Sequence, residues 1–102
     1  MVKELFPLGT VVKMKNTEKL MMICGYASVT AARPGYIYDY SGFAYPEGYV
    51  DMNKVYQFNN EDVEGLVAMG YQDIETNLYV RAVEERLQQL REEQQSDNAE
   101  EK

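Results

Sequence analysis

The chain has 102 residues, 45% of them hydrophobic and 26% charged, with a formal net charge of −7. That length suits one domain with a modest core, and no apolar run approaches the ~18 residues of a membrane span. The acidic balance disfavours nucleic acid, whose binding relies on neutralising phosphates, and equally an anionic membrane surface, so a protein is the expected partner. Leu8 to Met14 predicts a first strand, because Thr10, Val11 and Val12 are β-branched. Residues 15–19 form a polar hairpin connection, and Leu20 to Thr30 predicts a longer second strand. The apolar start of that strand predicts burial on both faces, with Cys24 an inert buried thiol. Gly25 marks a bulge or a close backbone approach, and Pro34-Gly35 fits a type II turn.

Five of the nine tyrosines lie between Tyr36 and Tyr49. Tyr36, Tyr38 and Tyr40 alternate with Ile37 and Asp39, which puts the three rings on one face of a strand. A carboxylate is costly to bury unpaired, so the rings are expected to face the core and Asp39 to face outward. Gly42 allows the sheet to bend sharply or another ring to lie over its backbone. The run stops at Tyr45-Pro46-Glu47-Gly48, which suits a type I turn. Aromatic clusters of this kind fill small cores or present interaction surfaces. The strand rings fit the first use. The turn fits the second, with Tyr45, Pro46, Glu47, Tyr49 and Asp39 as candidate partner-binding residues.

Residues 51–54 read as a loop and residues 55–58 as a short strand with Tyr56 and Phe58 on one face. Asn59 or Asn60 can cap a helical turn at 60–65, where Glu61 and Asp62 complement the positive end. A strand at 66–71 follows. From Ile74, with Asp73 as N-cap, the residues Leu78, Tyr79, Val83, Leu87 and Leu90 recur at helical spacing and predict one apolar stripe. The helix is expected to fray near Gln95, leaving an acidic disordered tail at 96–102. Together these elements predict an α+β domain over residues 1–95. Its expected form is a small, bent antiparallel sheet of about five short strands, either open or partly closed like a barrel, with a C-terminal amphipathic helix.

The charge is unevenly distributed. Residues 1–46 carry five basic and three acidic groups, residues 47–75 one and seven, and residues 84–102 three and seven. The start, Met1-Val2-Lys3-Glu4-Leu5-Phe6-Pro7, lacks the apolar region of a signal peptide, so a cytoplasmic location is expected.

Residue types for chemistry are sparse. The chain has no His and one Cys, which removes His-based triads, His-assisted thiol chemistry and most zinc sites. A calcium loop starting at Asp51 would need other residues where Val55, Tyr56 and Asp62 stand. The carboxylates Asp39, Glu47, Glu61 and Asp62 read as surface charge rather than a hydrolytic pair. No catalytic residue, cofactor or metal is expected, and the chain is not expected to be an enzyme.

The strings YDYSGFAYPEGY and VYQFNNEDVEGLVAMGY, with the opening PLGTVVKMKNTEKLMMICGY, resemble a small family of unknown-function proteins from Gram-positive bacteria. The likeness spans residues 7 to 72. Genes of that family sit beside LXG-domain polymorphic toxins in type VIIb secretion loci. The resemblance implies a cytoplasmic chaperone or targeting adaptor for export of such a toxin, whose partner is the toxin or its helical accessory proteins. The alternative is an immunity protein that neutralises the toxin domain. Self-association is left open. A Tyr-x-x-x-Glu string at Tyr71–Glu75 resembles a type VII export signal, but nine tyrosines and 17 acidic residues produce one or two such strings by chance.

Overall fold

The computed structural model describes residues 4–100, with side chains as far as Gln94. Five strands and one helix follow in the order β1 (Val11–Met14), β2 (Leu20–Ser28), β3 (Tyr38–Tyr45), β4 (Val55–Phe58), β5 (Val63–Ala68) and α1 (Ile74–Glu100). They make one antiparallel sheet of order β4-β3-β2-β1-β5. β1 to β4 are laid down by local reversals, whereas β5 crosses to the far edge and pairs with β1. The sheet keeps two open edges, β4 and β5, and does not close into the partial barrel that the sequence allowed.

The local chemistry explains most of the reversals. Gly35 takes φ +82° after Pro34, and the Tyr36 N–H donates to the Arg33 carbonyl at 3.3 Å, which is the type II turn expected there. The register between β2 and β3 slips between Ile23 and Gly25, so the predicted bulge is present and Cys24 is the extra residue. At Gly42 an added Cβ would stand 2.7 Å from the Met22 carbonyl oxygen and 3.0 Å from the Phe58 ring. The ring close to the backbone is what the missing side chain permits. After β4, a 3-10 turn at Asn60–Asp62 is closed by the Asp62 carboxylate, which accepts the Asn59 N–H at 2.8 Å. That turn is shorter than expected, and β5 starts at Val63 rather than at residue 66. β1 likewise starts three residues after Leu8. Before it, the Thr10 hydroxyl donates to the Pro7 carbonyl at 2.7 Å and holds a turn instead of a strand.

The core joins Leu5, Val12, Met21, Ile23, Tyr40 and Phe58 to Val80 and Leu87 of the helix. Leu5 belongs to a segment without ladder bonds, yet its backbone groups are satisfied by side chains. The Phe6 N–H donates to the Tyr40 hydroxyl at 3.0 Å, and the Tyr26 hydroxyl donates to the Phe6 carbonyl at 2.6 Å. The Leu5 N–H donates to Glu84 at 2.7 Å, and the Asn60 amide donates to the Glu4 carbonyl at 2.7 Å. The segment thereby lies between sheet and helix with few orphaned groups. Burial pushes the Tyr26 phenol up to about 12 and raises that of Tyr40 further.

Three expectations are corrected. Asp39 does not face outward: it is fully buried at 0% exposure, and so is its neighbour Tyr40. Strict alternation would have sent one of them to water. The carboxylate is compensated instead by Arg91, 2.8 Å away, and by the Asn60 N–H at 2.9 Å, so burial no longer strands a charge. Tyr36 and Tyr38 are only half-buried and pack edge-to-face at 4.7 Å, with the Arg33 guanidinium over the Tyr36 ring. Cys24 is exposed: it follows the buried Met21 and Ile23 in alternation and so lies on the outward face, where the bulge sets it opposite no partner residue.

The helix begins as predicted, with the Asp73 carboxylate accepting the Thr76 N–H at 2.7 Å. That bond holds the Asp73 carboxyl below its usual range. The buried face, however, is rotated from the expected stripe. It carries Val80, Val83, Glu84, Leu87 and Arg91, whereas Ile74, Leu78 and Tyr79 are exposed. Spacing alone favoured the more hydrophobic stripe, but the contacts with Leu5 and Asp39 select the other. The helix runs past the expected fraying point near Gln95. The tail foreseen at 96–102 falls on residues whose side chains lie outside those described, as does the backbone of residues 101 and 102.

This face makes a contrast between two leucines. Leu87→Ala should lower the stability by ~2–5 kcal/mol, as expected for an emptied core site. Leu78→Ala should change it by no more than ~0.5 kcal/mol. Urea denaturation of both variants checks this, and the opposite ranking would restore the stripe read from the sequence.

Candidate interaction surface

The expected site residues separate on the structure. Tyr45 ends β3, and Pro46, Glu47 and Tyr49 follow on the exposed connection to β4, while Asp39 lies at the other end of β3, buried under Arg91. Asp39 is thus a structural ion pair and not a group offered to a partner. The Tyr45–Pro46 bond is cis, and the connection closes through the Gly48 N–H to the Ala44 carbonyl at 2.8 Å. That bond spans one residue more than the type I turn predicted. Glu47 pairs with Lys19 on the β1–β2 hairpin, whose hydrogen bond holds the carboxyl below its usual range.

The sequence reading missed the remainder of this surface. Val50, Met52 and Tyr56 join Tyr45 and Tyr49 as exposed apolar or aromatic side chains, Met52 being 82% exposed. Beside them opens a groove of about 510 Å³. Its floor includes Met14, Met21 and Ala44, which also pack against the hydrophobic core. No described residue of α1 lines it. The core-facing side of the sheet therefore runs out from under the helix and continues to the surface at this end. The signal available in the sequence was Met14 and Met21 on either side of a predicted hairpin connection, but nothing there told which half of the sheet the helix would cover.

A second apolar area lies at the other edge. Leu66 and Val67 of β5, Met69, Tyr71, and then Ile74, Leu78 and Tyr79 of α1 are all exposed. Tyr71 and Glu75, the ends of the Tyr-x-x-x-Glu string, line a shallow cleft there with Tyr26 and Tyr79.

Three of the four carboxylates weighed for acid–base chemistry have structural partners, and the fourth, Glu61, is exposed. Asp39 holds Arg91, Glu47 holds Lys19 and Asp62 closes its own turn. Among the described residues, no group of three or more Cys, Asp or Glu side chains is placed to hold a metal, and no helix is long and apolar enough to cross a membrane.

The model of one protein family, a domain of unknown function designated DUF4176, matches residues 5–78. The chain belongs to the DUF4176 family. No curated protein and no solved structure matches it. The DUF4176 match takes in the whole sheet, the N-terminal segment threaded under the helix and every residue of the groove. It stops four residues after Ile74, so Val80, Leu87 and Arg91, which dock the helix, lie beyond it.

The corrected position of Cys24 gives a simple check. In the folded protein its thiol should react with a small alkylating reagent at a rate within about threefold of that in the denatured chain, since exposure governs access. Strong protection of the folded form would return Cys24 to the interior of the sheet.

Proposed function

We propose that this DUF4176 protein is a non-enzymatic binding module, a chaperone or targeting adaptor for an LXG-domain toxin of the type VIIb secretion pathway. The observation that carries the reading is the exposed set Tyr45, Tyr49, Val50, Met52 and Tyr56, displayed on one end of an ordered sheet. Apolar surface gathered in one place is uncommon on monomers and is a mark of protein contact. Tyrosines on a rigid support lose little freedom on binding and are frequent energetic anchors. The resemblance of the tyrosine-rich strings to proteins encoded beside LXG toxins supplies the identity of the client. The net charge of −7 agrees with a protein partner in preference to nucleic acid or an anionic membrane.

The test has a cellular and a biochemical arm. Deletion of the gene should abolish export of the neighbouring toxin without self-intoxication. Self-killing on deletion would instead identify an immunity protein. In pull-downs with the toxin, Tyr49→Ala and Tyr45→Ala should each weaken binding by ~1–3 kcal/mol with smaller losses of fold stability. Normal binding by both folded variants would move the client site away from the β3–β4 connection.

A further inference from the structure

The protein is acidic overall, but the groove beside the β3–β4 connection is not. Lys13, Lys15, Lys19 and Lys54 are the four lysines among residues 4–100, and three of them, Lys15, Lys19 and Lys54, line it. Among the described residues one acidic side chain, Glu47, lines it too and pairs with Lys19. The apolar floor formed by Met14, Met21 and Ala44 thus has a rim with excess positive charge on a chain of net charge −7. Charge gathered against the general balance selects a complementary partner and steers its approach.

The form of that partner follows from the form of the site. The groove lies on a sheet face, where the ladder N–H and C=O groups lie in the plane of the sheet, bonded to neighbouring strands or, on β4, directed along its open edge, and do not point up from the face. A segment laid on such a face meets side chains and must satisfy its own backbone, which an extended strand cannot do there and a helix can. The chain shows the same solution on the adjoining half of the face, where α1 inserts Val80 and Leu87 into the common core. Tyr49 and Met52, which flank the groove residue Val50 in the chain, are exposed apolar side chains as well. Met14 and Met21 suit such an occupant, because flexible thioether side chains adapt to varied partners.

The geometry points to this groove as the seat of an amphipathic helix of the partner protein, with an apolar stripe against Met14, Met21 and Ala44 and acidic flanks against Lys15, Lys19 and Lys54. This deepens the adaptor reading and rests on it for the partner's identity alone. The groove itself is tested without the toxin, using two synthetic helical peptides that share one apolar face. One carries Glu on its polar face and the other Lys. Titrated into the isotope-labelled full chain, the Glu peptide should shift the amide resonances of Ala44, Val50 and Lys54. It should bind at least about tenfold more tightly than the Lys peptide. The variant Lys15→Glu/Lys19→Glu/Lys54→Glu, whose replaced side chains are exposed, should keep its thermal midpoint and lose that preference. Equal binding of the two peptides, no binding of either, or shifts confined to the Leu66–Tyr79 area would overturn the assignment. So would a wild-type dimer in sedimentation that the triple variant dissociates, since the groove would then belong to a second copy. A chain that takes the Glu peptide but does not retain the toxin refutes the adaptor reading and leaves the groove standing. Retention of the toxin with no response to either peptide does the reverse.

Discussion

The buried carboxylate of Asp39 is the constraint on which the remaining structure depends. A carboxylate at 0% exposure is tolerable only where its charge is matched, and two elements converge on it to do so. Arg91 comes from the helix, and its guanidinium also donates to the Ile37 carbonyl at 2.9 Å. The Asn60 N–H comes from the turn after β4, and the Asn59 side chain accepts the Asp39 N–H at 2.9 Å. One charge therefore fixes helix, turn and strand relative to each other at the Tyr38 end of β3. Fixed there, α1 covers Tyr40 and Leu5 but leaves the Tyr45 end of the same face bare. The groove and the exposed tyrosines are consequences of where the helix is tied.

The sequence made several elements legible because their signals are local. Pro34-Gly35 specified its turn, Gly25 its bulge, Asp73 its cap, and residues 55–58 their strand, each from chemistry within a few residues. What was not legible depends on contacts far apart in the chain. Asp39 looked like a solvent-facing residue because its partner stands 52 positions away at Arg91. The helix face was misread for a related reason: Ile74, Leu78 and Tyr79 form the more apolar stripe, yet Glu84 and Arg91 carry the polar contacts that orient the helix. The candidate surface was half visible. Tyr45 and Tyr49 announced themselves by composition, while the lysine-rimmed groove required knowing that Met14, Ala44 and Lys54 meet.

The family match and the packing divide the chain at nearly the same place. The DUF4176 stretch supplies the sheet, the groove and the buried carboxylate, and the part of α1 beyond residue 78 supplies the cation that neutralises it. An acidic body with a small cationic groove and a displayed aromatic turn is the basis of the binding role proposed above. Three of its carboxylates, Asp39, Glu47 and Asp62, are held in ion pairs and a turn cap.

The most direct test of this account is a double-mutant cycle on the pair that ties the helix, read by chemical denaturation. Arg91→Met alone should destabilise the domain by about 2–4 kcal/mol, somewhat below the ~3–5 kcal/mol of a fully buried pair because Arg91 keeps 28% of its side chain in water. Asp39→Asn combined with Arg91→Met should recover about half of that loss or more, since no charge is then left stranded. Losses that simply add, or an Arg91→Met variant as stable as the parent, would show that the helix is held by its apolar contacts alone and that the Asp39–Arg91 pair does not organise the fold.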